Sequence, residues 1–345
     1  MKNKWIIFIL LIGLSLSANS CEELILDEEP GNDPVENFDY LWQVAQEKYS
    51  FFDYKSIDWD EVYDKYRSRV NSETGSIELF DILFEMLGEL RDGHVNLVSP
   101  FNVARFNIDL LGPENIDFRL IRENYLNENY YITGPFQHDF LEGNSVAYVR
   151  YSSFSNRVNN FDMDFLLLRY EETDGMIIDL RQNGGGSLSN VFRILNRFVD
   201  EETLVYNSFI KNGPGPEDFS DAQPAFLEPA ETDDGEERRR YLDKPVIVLV
   251  DRGTYSAASF FALATLQLDN FTLIGDTTGG GLGIPNGGQL PNGWTYRFSI
   301  SRTLTPDGRN FENGVPVDEK VILTPNARLQ GRDPVLERAM ELITG

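Results

Sequence analysis

Val246-Ile247-Val248-Leu249-Val250-Asp251-Arg252-Gly253-Thr254-Tyr255-Ser256-Ala257-Ala258-Ser259 joins five apolar residues, a glycine-containing turn and a run of small residues. An unbroken apolar run of this length, bounded by turn residues, predicts a buried strand. A helix is predicted from Ser256 to Leu268, opening on a serine. The same order occurs upstream, where Met176-Ile177-Ile178 leads through a glycine loop into a helical pattern from Ser187 to Phe198. Phe271 to Ile274 supplies a third strand. Strand and helix in alternation predict an α/β core.

Three helical patterns lie upstream, at Pro34–Tyr49, Trp59–Val70 and Ile77–Leu90. The first has Asp33 placed as N-cap and Pro34 in its first turn. The third carries Leu79, Phe80, Leu83, Phe84 and Leu87 on one stripe. They predict a small helical N-terminal subdomain over 35–93, ahead of a core over 94–345. Extended patterns follow at Val95–Val98, Phe118–Ile121, Tyr130–Thr133 and Val146–Tyr151. The stretch Lys211–Lys244, rich in Pro, Gly, Asp and Glu, predicts a solvent-exposed insertion that could serve as a mobile lid. No internal repeat or heptad is present.

With 41% hydrophobic and 25% charged residues, the 345-residue chain has an ordinary globular composition. Thirty basic and 56 acidic residues give a net charge of −26. A field of that sign repels phosphate backbones, so no nucleic-acid partner is expected. It also repels anionic lipid, so membrane association would need a covalent or hydrophobic anchor. Cys21 is the one cysteine, which excludes an intramolecular disulfide. The two histidines, His94 and His138, are too few for a multi-histidine metal centre.

Residues 1–20 have the pattern of an export signal, with Lys2 and Lys4 ahead of a fourteen-residue apolar run from Trp5 to Ala18. A spanning helix needs ~20 apolar residues, so the run is too short to span. Ser17-Ala18-Asn19-Ser20-Cys21 resembles a bacterial lipobox, which makes Cys21 the expected lipidation site and mature N-terminus. Ala18 stands where Leu, Ile or Val is commoner, and an ordinary signal peptide leaving a free thiol is the alternative. Loss of the two lysines would change the charge to 28 − 56 = −28. Residues 21–34 then form an acidic tether, within a stretch (Glu22 to Tyr40) holding eight acids and no Lys or Arg. The expected location is the cell envelope, lipid-anchored at the periplasmic face or outer surface of a Gram-negative outer membrane.

Ser256 opens a helix, where unpaired N–H groups and the positive dipole end point outward. A serine there can attack a carbonyl while neighbouring amides hold the oxyanion. It can equally be a simple N-cap, for which serine is among the preferred residues. The Gly-x-Ser-x-Gly elbow is absent. Asp179-Leu180-Arg181-Gln182-Asn183-Gly184-Gly185-Gly186-Ser187 adds a loop whose glycines permit close backbone approach and whose amides could form an anion-binding nest. It matches neither phosphate-binding glycine motif.

Taken together, Gly175–Gly186, Thr254-Tyr-Ser-Ala-Ala258 and Gly314-Val-Pro-Val-Asp318 resemble the S41 serine peptidases, the tail-specific processing and tricorn core proteases. Leu90-Arg-Asp-Gly-His-Val95 and Gly331-Arg-Asp-Pro-Val-Leu-Glu337 are also similar, so the resemblance spans roughly residues 35 to 345 in order. It implies a crotonase-like ββα spiral core behind the helical subdomain. It implies Ser256 as nucleophile, with Ala257 N–H and a glycine-loop amide, assigned to Gly185, as oxyanion hole. The tail-specific branch uses a lysine base, but here that stretch reads Gly275-Asp-Thr-Thr-Gly-Gly-Gly281, with glycine at the lysine position. The tricorn-like branch uses a histidine, and His94 stands at its place. A histidine base suits neutral pH, with an ordinary pKa of ~6.5.

In that branch a serine before the histidine and a distant glutamate orient the ring. Here the serine position is Gly93, Glu312 matches the glutamate, and Asp92 is the alternative orienter. Ser259 replaces an acid, and His138, after a turn signal, is expected in a surface loop. Only 52 residues separate His94 from Ala147, without the ending of a PDZ module, so a reader of substrate C-termini is not expected. The resemblance implies a serine peptidase acting on polypeptides, needing no metal or organic cofactor. Two rivals remain: a silent binding lipoprotein on the same fold, and a crotonase-like enzyme for acyl thioesters, against which the charge and export signal both weigh.

Overall fold

The computed structural model describes residues 31, 33–107, 112–232 and 237–345. The expected export signal and the Cys21 lipidation site lie outside the described residues, as does most of the tether.

The described residues begin with helices α1 (Pro34–Lys48), α2 (Phe52–Lys55), α3 (Trp59–Arg67) and α4 (Ser76–Gly88). Asp33 caps α1 by accepting from Val35 N–H, and Asp58 caps α3 by accepting from Asp60 and Glu61 N–H. Strands β1 (Asn96–Val98) and β2 (Val103–Arg105) follow. Helix α5 (Phe118–Asn124), β3 (Tyr131–Thr133), β4 (Phe136–Leu141), β5 (Val146–Arg150) and α6 (Asn160–Arg169) come next. Then the alternation begins: β6 (Gly175–Asp179), α7 (Leu188–Leu195), β7 (Thr203–Ile210), β8 (Gln223–Leu227), β9 (Val246–Val250), α8 (Ala257–Thr265) and β10 (Phe271–Gly275). Strands β11 (Pro285–Gln289), β12 (Thr295–Ser299), β13 (Ser301–Leu304) and β14 (Glu319–Lys320) precede the closing helices α9 (Pro325–Leu329) and α10 (Pro334–Thr344).

The central sheet has the order β14-β10-β9-β6-β5-β4-β3, parallel from β14 to β5 and antiparallel beyond. All five residues of β5, β6 and β9 are buried, as continuous apolar runs require when both faces are covered. Successive side chains face opposite layers. Val246, Val248 and Val250 join the core under α7 and α8, while Ile247 and Leu249 join the one under α10. The N-terminal helices bury Phe38, Leu41, Leu83 and Leu87 against Leu97, Tyr296 and Phe298 of a second sheet, β11-β12-β1-β2. The segment β12–β13 leaves that sheet at Ile300 and enters a third, β13-β7-β8.

Three expectations are corrected. Phe118–Ile121 is helical, because Asp117 caps the segment through Leu120 N–H and buries Leu120 and Ile121. The described residues of 211–244 are mostly exposed or half-buried, as expected, but they are not a free lid, since β8 lies among them and pairs with β7, burying Leu227. His138 is no surface residue but a fully buried position on β4, its ring between Tyr170 Oη at 2.7 Å and Thr133 Oγ1 at 2.9 Å. Burial pushes its pKa down to about 4, with Arg169 assisting against Asp139.

Arg181 ties the core to its last helix. It has no exposure, and its guanidinium lies 2.7 Å from Asp179 Oδ2 and 3.0 Å from Asp333 Oδ2, both carboxylates also fully buried. Asp333 is at the same time the N-cap of α10, accepting from Val335 and Leu336 N–H.

Candidate active site

Ser256 sits at the hinge between β9 and α8 with φ 54° and ψ −124°, a positive φ that non-glycine residues rarely hold. Such backbone persists only where the surroundings over-determine it. Here Ser256 N–H donates to Gly280 O at 2.9 Å, Tyr255 N–H to Asn183 O at 2.9 Å, and Gly279 N–H to Thr254 O at 2.7 Å. The N-cap alternative fails, because the Ser256 side chain makes no capping hydrogen bond. Its Oγ lies instead 3.0 Å from His94 Nε2. The structure thus joins two residues 162 positions apart.

His94 stands just before β1, 5% exposed, with its N–H donating to Asp92 Oδ1 at 2.8 Å and its carbonyl accepting from Arg297 Nε at 3.3 Å. These bonds fix the backbone from which the ring projects. Nδ1 lies 3.2 Å from Ser299 Oγ, and Asp92 Oδ1 is 3.9 Å away. Burial lowers the pKa of His94; Asp92 opposes this, and Arg297 and Lys55 reinforce it. The ring is therefore held toward its neutral, proton-accepting form.

Glu312 does not reach His94. Its Oε2 accepts from Leu282 N–H at 2.7 Å and Gly283 N–H at 3.0 Å, and its Oε1 is 3.7 Å from Lys55 Nζ. The expected contact is displaced because the amides following Gly281 capture the carboxyl. Burial, with Asp92 beside it, pushes the Glu312 pKa up to about 8, against Lys55 and the two amides. Ser299, the hydroxyl that does meet the ring, carried no motif in the sequence. Its one signal was a small polar residue closing β12 directly after Tyr296 and Phe298, which are buried.

Gly185 packs against the nucleophile. A β-carbon there would stand 2.8 Å from Ser256 Cβ and 2.9 Å from Ala257 N, and its φ of +94° favours glycine. Its own N–H, however, donates to Asn183 Oδ1 at 3.0 Å and is not a free amide. Ala257 N–H, by contrast, makes no hydrogen bond among the described residues and opens α8 beside Ser256 Oγ. Ser259, at the position of an acid in relatives, donates to Thr254 O at 2.9 Å and lies 3.0 Å from Thr278 Oγ1. It braces the elbow and stays out of the site. Among the described residues no lysine contacts Ser256, and no cluster of three or more His, Cys, Asp or Glu could hold a metal ion.

The sequence model of peptidase family S41 matches residues 145–321, just over half of the chain, and that of the tricorn protease C1 domain matches residues 30–88. The carboxy-terminal processing protease CtpA of Bacillus subtilis (strain 168) is 26% identical over 228 residues, 66% of this chain and 44% of that protein. The chain spans less than half the length of the curated relatives it matches first. Among solved structures, a candidate peptidase from Parabacteroides merdae ATCC 43184 superposes with a TM-score of 0.84 at 38% identity, covering 91% of this chain and 98% of that one. Mature CPAF superposes with a TM-score of 0.65 at 12% identity over 90% of this chain and 96% of that one, a likeness of fold alone. The α/β fold expected from the motifs is the one these structures share.

Proposed function

The chain belongs to peptidase family S41, a family of serine peptidases, and on that premise we propose that it hydrolyses peptide bonds with Ser256 as nucleophile and His94 as general base. The observation that carries this reading is the 3.0 Å approach of Ser256 Oγ to His94 Nε2 at a strained, fully braced elbow. Neutral His94 removes the Ser256 proton as Oγ adds to the scissile carbonyl, then returns it to the leaving amine. Ala257 N–H, at the positive end of α8, holds the oxyanion, and the Gly185 N–H joins it by exchanging Asn183 Oδ1 for the developing charge. With the family's lysine replaced by glycine, the histidine takes the base role. Polypeptides are the substrates this site fits, and no cofactor enters the scheme.

The pH profile of kcat/KM on an unfolded protein such as casein tests the base. The sign follows from the site: burial lowers the His94 pKa, so activity should fall on the acid side with a midpoint below the ordinary ~6.5. A midpoint of ~7–8 or above, the range of a lysine tuned to act as base, would remove His94 from the role.

We also propose that the chain is exported and lipidated on Cys21, which places it in the cell envelope. Lys2 and Lys4, the apolar run too short to span, and the sole cysteine three positions after it support this. Cys21→Ser should shift the full chain from the detergent phase to the aqueous phase on phase separation. Equal partitioning of wild type and variant would refute lipidation.

A further inference from the structure

We propose that His94 is oriented by a relay through Ser299 to Asp92, so that the acid behind the general base is Asp92 and Glu312 plays a bracing part. This rests on the peptidase reading above. For His94 to accept the Ser256 proton at Nε2, its own proton must sit on Nδ1. The hydroxyl of Ser299 is the acceptor in range there, at 3.2 Å, while Asp92 Oδ1 at 3.9 Å is too far for a direct hydrogen bond. Gly93, directly before the histidine, has no side chain to offer. Ser299 is buried at the end of β12, where the strand leaves its sheet; its hydroxyl donates to Gly283 O at 3.4 Å and stands near enough to the Asp92 carboxylate to help lower its pKa, so the relay has it turn from the carbonyl to the acid.

Asp92 is built to stay charged. Burial raises its pKa, but Lys55, His94, the His94 N–H and Ser299 together bring it below the ordinary value. Its Oδ1 holds the His94 N–H at 2.8 Å, which locks carboxylate and ring in one register. Its Oδ2 is buried with no partner among the described residues, leaving a lone pair available to a donor. The groups facing the pair are Lys55, Arg297, Tyr255, Tyr49 and Glu312. Glu312, with a pKa raised to about 8, is mostly protonated at neutral pH, so the negative charge that faces a developing imidazolium is that of Asp92. Asp92 thus acts as a positioning and charge-balancing residue through Ser299, without touching substrate.

The test uses the full chain. In wild type, nitrogen-15 spectra of the histidine rings near pH 8 should show the proton of His94 on Nδ1. The only other histidine, His138, is held neutral by its low pKa and leaves the titration readable. A wild-type ring protonated on Nε2 would overturn the proposal without any variant. Asp92→Asn and Ser299→Ala should each lower kcat by ~10²-fold, less than the ~10⁴-fold seen when a directly bonded acid is lost in a serine protease triad. Asp92→Asn should also move the acid limb of kcat/KM down by ~0.5–1 pH unit, because the anion that raises the His94 pKa is gone. Ser299→Thr should recover most of the loss, and Glu312→Gln should lose under ~10-fold and keep the limb. A silent Ser299→Ala, or a Glu312→Gln that moves the limb more than Asp92→Asn, overturns the relay. Either result leaves the base assignment standing, since that is tested separately by His94→Ala and by the acid-limb midpoint of the wild type.

Discussion

Ser256→Ala and His94→Ala should each lower kcat/KM on casein by at least ~10³-fold, and the double variant should be no worse than either alone. A 10³-fold loss is ~4 kcal/mol of transition-state stabilisation, far beyond what an ordinary surface hydroxyl or ring contributes. Non-additivity is the discriminating feature. Ser256 Oγ is a weak nucleophile until Nε2, 3.0 Å away, takes its proton, so removing either partner removes the same event. What survives is the activity left by Ala257 N–H and substrate binding. Ser256→Ala keeps the same β-carbon at φ 54° and the same backbone brace, so loss of activity would not be loss of fold. Independent, additive losses would show that the two residues do not act as one unit.

The second large effect is on stability. Arg181→Met should destabilise the protein by ~3–5 kcal/mol in urea unfolding, because it strands two buried carboxylates. Asp179 and Asp333 have no exposure, and each loses its bond to the guanidinium. Burial raises the Asp179 pKa, but Arg181 above all, with Arg150, pulls it below the ordinary carboxylate value. A lowered carboxylate pKa contributes stability that is present above the unfolded value of ~3.9 and is lost as pH falls through the folded one. Arg181→Met should therefore flatten the acid side of the stability curve as well as lower it. Adding Asp179→Asn and Asp333→Asn should recover much of the loss, since a neutral trio of similar volume leaves no stranded charge. A loss below ~1 kcal/mol would mean that water reaches the carboxylates.

The α/β core was legible because buried parallel strands write themselves as unbroken apolar runs: Val246–Val250 and Met176–Ile178 are both where expected. Likewise the helical N-terminal segment announced itself through caps and a stripe. What sequence could not show were strands whose pairing is decided by distant chain. Strand β8 begins Gln-Pro within an acid-rich stretch and owes its conformation to β7. The α5 segment reads as a strand in the sequence because a short apolar cluster has no period of its own, and the cap at Asp117 makes it a helix.

In the site, Ser256 and His94 were legible as residues, but their meeting across 162 positions is a product of the fold. Glu312 reads from its motif as the acid that orients the ring, yet its side chain bonds backbone amides instead. Ser299 was invisible, since a lone serine at a strand end carries no pattern. The relay geometry depends on where β12 bends out of its sheet, which no local motif encodes.

The most direct test of the Ser256–His94 pair is mass spectrometry of the full chain after reaction with a fluorophosphonate, which bonds only to an activated serine. The account predicts a single adduct on the peptide carrying Ser256, formed far more slowly in His94→Ala and absent in Ser256→Ala. A folded wild-type protein that carries no adduct on Ser256, or that labels equally fast without His94, would contradict it.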